Sequence, residues 1–133
     1  MTSVFVDTVG LVALWDEDDQ WHAPADAAWN LALASRALPY TTTFVLAECA
    51  NAAARRPYRP QVEFLCAQFE RAGRLVRPTD DEWRQAWRDY TRGNAGDAGL
   101  VDHLSFLVML RLAIADAFTN DRHFQTAGFH TLF

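Results

Sequence analysis

The 133-residue chain has no lysine; all 12 of its basic residues are arginine. A P-loop needs a lysine on its phosphates and Schiff-base chemistry needs a lysine amine, so both are excluded. Cysteine is scarce too. Cys49 and Cys66 are the only two, each set in an apolar helical pattern, which reads as core thiols in a reducing cytoplasm and not as a disulfide frame. No apolar run reaches the roughly 18 residues of a membrane span. The N-terminus lacks the basic segment and apolar stretch of a signal peptide. Positive charge is in deficit, with a net charge of −5, which argues against a broad basic surface for nucleic acid. A nuclease whose bound cations meet the phosphate stays open.

Half of the residues are hydrophobic, enough for one domain over 1–133 with its own core. Val4–Val6 reads as a strand buried on both faces, and Thr8–Trp15 as a helix. Asp16-Glu17-Asp18-Asp19 reads as a solvated turn. Helical spacing covers His22–Arg36, and Leu38–Thr41 is extended. Thr42 or Thr43 caps a helix over Phe44–Arg55. Pro60 opens another, to Arg71, closed by Gly73. Arg74–Arg77 is a short strand. Thr79 with Glu82 forms a capping box for a helix carrying Trp83, Trp87 and Tyr90 on one face. The most apolar helix runs from Asp102 to Leu112. Ala117–Thr119 is a strand, His123–Ala127 one helical turn, and Phe129–Phe133 a last extended piece. Short apolar strands alternating with helices predict an α/β fold: a three-layer sandwich whose short, mainly parallel central sheet is flanked by helices. Ligands in such sheets bind beyond the carboxyl ends of the strands, where Asp7 and Asp121 stand.

Four carboxylates stand where apolar residues are expected. Asp7 follows the first strand. Glu48 interrupts "FVLAECANAAA", Asp102 stands in "GLVDHLSFLVML", and Asp121 follows "AFTN". Singly, each has a structural explanation, such as an N-cap for Asp102 or a turn for Asp121. Together they do not. At 4 Å and an effective dielectric near 20, each like-charge pair costs roughly 4 kcal/mol. Grouped carboxylates must therefore take up protons or share a cation. Mg²⁺ and Mn²⁺ prefer carboxylate and water oxygens.

The chain resembles the PIN-domain proteins, and most of all the VapC-type toxin ribonucleases of bacterial toxin–antitoxin modules. The likeness runs through "FVDTVGLVALWDEDDQWH", "TTTFVLAE", "LVDHLSF" and "AFTNDRHFQTAGF", in this order and spacing. It implies a PIN-like fold and Mg²⁺- or Mn²⁺-dependent RNA cleavage in the cytoplasm. It also implies a homodimer and inhibition by a small cognate antitoxin, with no membrane and no direct DNA binding. Motif by motif, Asp7, Glu48, Asp102 and Asp121 take the acidic catalytic and metal positions, and Thr119 takes a supporting one. Many relatives carry Ser or Thr shortly before the third acid. Gly99 stands there in this chain, with Asp97 as the nearby candidate support. A PIN-like module that binds RNA or protein without cleaving is the alternative. The resemblance further suggests a groove for an amphipathic antitoxin helix between the large apolar groups of the first helices (Leu11, Leu14, Trp15, Trp21, Trp29) and the small residues around Glu48.

Other signals are weaker. His22, His103, His123 and His130 have no zinc-site spacing. His103, beside Asp102, reads as a surface or half-buried helix position. "VFVDTVG" resembles the nucleophile strand of haloacid-dehalogenase-type phosphatases, but that motif needs a second Asp where Val9 stands. Arg84, Arg88 and Arg92 share one helix face and read as a solvated row, with Asp80 the expected partner of Arg84.

Overall fold

The computed structural model describes residues 2–133. Five strands form one sheet: β1 (Ser3–Val6), β2 (Leu38–Thr42), β3 (Leu75–Val76), β4 (Asp116–Phe118) and β5 (His130–Thr131). Their order is β3-β2-β1-β4-β5 and every pairing is parallel. The helices are α1 (Thr8–Trp15), α2 (His22–Ala34), α3 (Thr43–Ala53), α4 (Arg59–Ala72), α5 (Asp80–Arg92), α6 (Leu100–Arg111) and α7 (Arg122–Thr126). The chain moves outward from β1 through β2 to β3, then crosses to β4 and β5. Right-handed crossovers put α1–α4 on one face of such a sheet and α5–α7 on the other.

The packing agrees with that division. Val6 and Phe118 are register partners, and Phe118 packs on Trp29 of α2. Phe5 points to the other face, against Phe124, which meets Phe106 of α6 edge-on with ring centres 5.0 Å apart. Phe5, Phe118 and Phe124 are fully buried, each contributing about 1.5–3 kcal/mol of apolar transfer. Pro39 lies in β2 beyond the two residues paired to β3, so its missing N–H leaves no ladder bond broken there. Gly10 in α1 is required by contact: a Cβ would lie 2.1 Å from the Phe118 carbonyl oxygen. That close approach seats the first turn of α1 against the end of β4.

Several boundaries differ from the sequence reading. The helix expected to start at Asp102 starts at Leu100, which puts Asp102 in its first turn. β4 ends at Phe118, and Thr119 turns away. The two outer strands shrink to two residues each, having one neighbour and few register partners. The Thr79–Glu82 capping box is present in both directions. Thr42 caps α3 by accepting from Val45 N–H at 3.1 Å. Both cysteines are free, and no helix among the described residues is long and apolar enough to cross a membrane.

Candidate metal centre at the strand ends

The order of the strands reverses at β1, whose neighbours β2 and β4 carry the chain to opposite sides. Such a switch point opens a crevice beyond the carboxyl ends. Asp7 leaves β1 directly into it and is 2% exposed. Thr119 leaves β4 beside it. The Thr119 hydroxyl donates to Asp7 Oδ2 at 2.9 Å and its oxygen accepts from Asp121 N–H at 3.1 Å. One buried threonine thus ties the ends of β1 and β4 together. Asp121 caps α7, its Oδ1 accepting from His123 N–H at 2.9 Å. Asp102 comes from the first turn of α6, where its Oδ2 accepts from Gly99 N–H at 3.2 Å. Gly99, which has no hydroxyl, thereby contributes its backbone. Glu48 stands on the exposed side of α3 and is held by the Thr8 hydroxyl at 2.7 Å.

The electrostatics follow from this geometry. Burial, then the neighbouring Asp102, pushes Asp7 up to about 7, against the hydrogen bond from Thr119. Asp102 is raised to about 6, mainly by burial, with Asp121 and Glu48 adding to the effect. The four carboxylates therefore share one field although Glu48 is exposed and only Asp7 is fully buried. The expectation that all four interrupt apolar surroundings holds for Asp7 and is corrected for Glu48. Cys49 lies buried under the site, where burial pushes its thiol up to about 12, leaving it unreactive.

The tightest group includes one residue that the sequence reading set aside. Asp102, Asp121 and His123 each offer a donor atom, all within 4.8 Å of one another. His123 Nδ1 lies 2.8 Å from Asp121 Oδ1 and 4.0 Å from Asp102 Oδ2. It is buried and makes no hydrogen bond. On the other side of the ring, Nε2 bonds Asp97 Oδ1 at 2.6 Å. An orphaned ring nitrogen facing two carboxylates, beside a third raised by burial, fits a divalent cation. Asp97 reaches the site only through this histidine. Zinc-type spacing could not reveal His123, because its partners Asp121 and Asp97 lie two and 26 residues earlier in the chain.

Other candidates are placed away from the site. His103 is buried against Phe106, correcting the surface or half-buried reading, and its ring does not reach solvent. Arg84 pairs with Asp81 at 2.7 Å, not with Asp80. Leu11 fills the core and does not line the expected groove, while the half-buried Trp29 and Trp15 pack on Phe118 and Tyr58. The small residues of α3 do line one: Thr43, Ala47, Ala50 and Ala54 face Val62 and Cys66 of α4 across a 570 Å³ groove.

No family model matches the chain. The 23S rRNA-specific endonuclease VapC20 of Mycobacterium tuberculosis is 30% identical over 127 residues, 95% of each chain. The crystal structure of that protein, described as a toxin cleaving the sarcin–ricin loop, superposes with a TM-score of 0.77 over 95% of both chains. FitAcB from Neisseria gonorrhoeae, at 14% identity, has the same fold with a TM-score of 0.64 over 96% of this chain and 95% of its own. With relatedness along nearly its whole length and the same arrangement of sheet and helices, this chain belongs to the VapC family of PIN-domain toxin endonucleases.

Proposed function

We propose that this protein is the toxin of a toxin–antitoxin pair and cleaves RNA with Mg²⁺ or Mn²⁺ held by Asp7, Glu48, Asp102 and Asp121. The observation that carries this reading is the meeting of acids from four distant segments at the β1–β4 switch point, one of them buried and raised to about 7. When bound, such a cation supplies an activated water and neutralises charge at the scissile phosphate. The protein's own part is positional. Thr119 holds Asp7, the α6 first turn holds Asp102, and Thr8 holds Glu48 at the open rim, where it can orient a water or accept its proton. Arginines supply the phosphate contacts, since no lysine is available.

The likeness to VapC20 makes 23S rRNA the first substrate to test. Membership of a toxin family supports a cognate antitoxin as partner, and we propose that the protein works as a homodimer in the cytoplasm. The α3–α4 groove beside Glu48, lined by small residues, suits the apolar face of an amphipathic antitoxin helix. Purified protein should cut 23S rRNA in Mg²⁺ or Mn²⁺ and stop in EDTA. Glu48→Gln should lower turnover by at least about a hundredfold with RNA affinity nearly unchanged. Undiminished cleavage in EDTA, or loss of RNA binding with normal turnover of the bound RNA, would refute it.

A further inference from the structure

We infer that His123 is itself a metal ligand through Nδ1, oriented by Asp97, and that this nitrogen donor makes the centre prefer Mn²⁺ over Mg²⁺; the inference rests on the metal reading above. Three observations converge on it. The Nε2–H side of the ring is anchored on Asp97 at 2.6 Å, which leaves the lone pair on Nδ1. That atom is buried and makes no hydrogen bond. Nδ1 stands 2.8 Å from Asp121 Oδ1, an oxygen that also accepts the His123 backbone N–H at 2.9 Å, yet Nδ1 makes no hydrogen bond to it.

The distances have the right shape. An octahedral ion with bonds of about 2.1 Å separates adjacent donors by about 3.0 Å and opposite donors by about 4.2 Å. Nδ1 stands 2.8 Å from Asp121 Oδ1 and 4.0 Å from Asp102 Oδ2. A carboxylate bonded to the far nitrogen of a ligating imidazole is a recurrent device: it fixes the tautomer and the ring plane and raises the ligand's basicity. Asp97, in the loop before α6, occupies that place. Mg²⁺ takes oxygen donors almost exclusively, whereas a first-row ion accepts imidazole nitrogen beside carboxylates.

Pulsed electron paramagnetic resonance of the purified protein loaded with Mn²⁺ reads directly coordinated nitrogen, independently of cleavage. The wild type should show nitrogen modulation from one imidazole, and His123→Ala should lose it. Mn²⁺ affinity should fall by about 10- to 100-fold in His123→Ala, with Mg²⁺ affinity nearly unchanged. Asp97→Ala, a change at an exposed loop position, should weaken Mn²⁺ in the same direction while circular dichroism stays that of the wild type. Mn²⁺ bound with no nitrogen coupling, or with coupling that survives His123→Ala, would overturn this inference and leave the metal reading intact. Failure of the wild type to bind Mn²⁺ at all would overturn both.

Discussion

Two groups of four acids occur in this protein, and they have opposite characters. Asp16, Glu17, Asp18 and Asp19 are consecutive in sequence and lie in the turn after α1. They build the turn: Asp16 accepts from Asp18 N–H at 3.0 Å, and Asp19 from Trp21 N–H at 2.8 Å. Asp7, Glu48, Asp102 and Asp121 are spread over most of the chain and meet only when the sheet forms. In the first group water screens each charge. In the second, Asp7 is sealed by the core and its neighbours raise it further. Charge density along the sequence is thus a poor guide to a site, and placement at a strand-order reversal is a good one.

The largest effect that separates the two groups is on catalysis. Asp102→Asn keeps the shape and the contact to Gly99 but removes a charge from the centre. It should reduce RNA cleavage by at least about a hundredfold, measured as initial rate with saturating Mg²⁺. A near-wild-type rate would erase the distinction drawn above.

A second, smaller effect is on stability. Because Asp7 is raised to about 7 from an ordinary carboxylate value, the native metal-free protein holds its proton more tightly than the unfolded chain. Its stability is therefore fully present at about pH 4 and is lost as pH rises through about 7, on the order of 4 kcal/mol. Asp7→Asn cannot ionise and escapes this loss. Thermal melts in EDTA should show the variant several degrees above wild type at about pH 8 and close to it at about pH 4, with the gap opening progressively between. A variant that melts lower at both would mean that the carboxylate is not destabilising. The smallest effect belongs to the turn: Asp18→Asn should change neither cleavage nor the pH dependence of melting, as the same two assays would check.

Much of this could be read from the sequence, for identifiable reasons. Caps are local chemistry, and Thr79 with Glu82 forms its box as the spacing dictates. Asp7 and Asp121 were legible because a carboxylate after a short apolar strand must end at the sheet's carboxyl edge. Helix faces were harder, since the direction a helix turns depends on where the sheet holds it. Trp83, Trp87 and Tyr90 do form a row on α5, but it runs along the outside, with Trp83 stacked on Phe44 and the other two half-exposed. Leu11, which could have lined a groove, fills the domain's own core, and Trp29 packs half-buried against it. His123 was hidden for another reason. Its role depends on Asp97, 26 residues earlier and brought close by the fold of the loop before α6.

The most direct test of the convergence of four dispersed acids is the position of a bound ion. Crystals grown or soaked with Mn²⁺ and measured for anomalous scattering should give a strong peak between Asp7, Asp102 and Asp121 at the β1–β4 crevice, and none at the Asp16–Asp19 turn. A peak confined to the turn, or no peak at the strand ends under saturating Mn²⁺, would contradict the account.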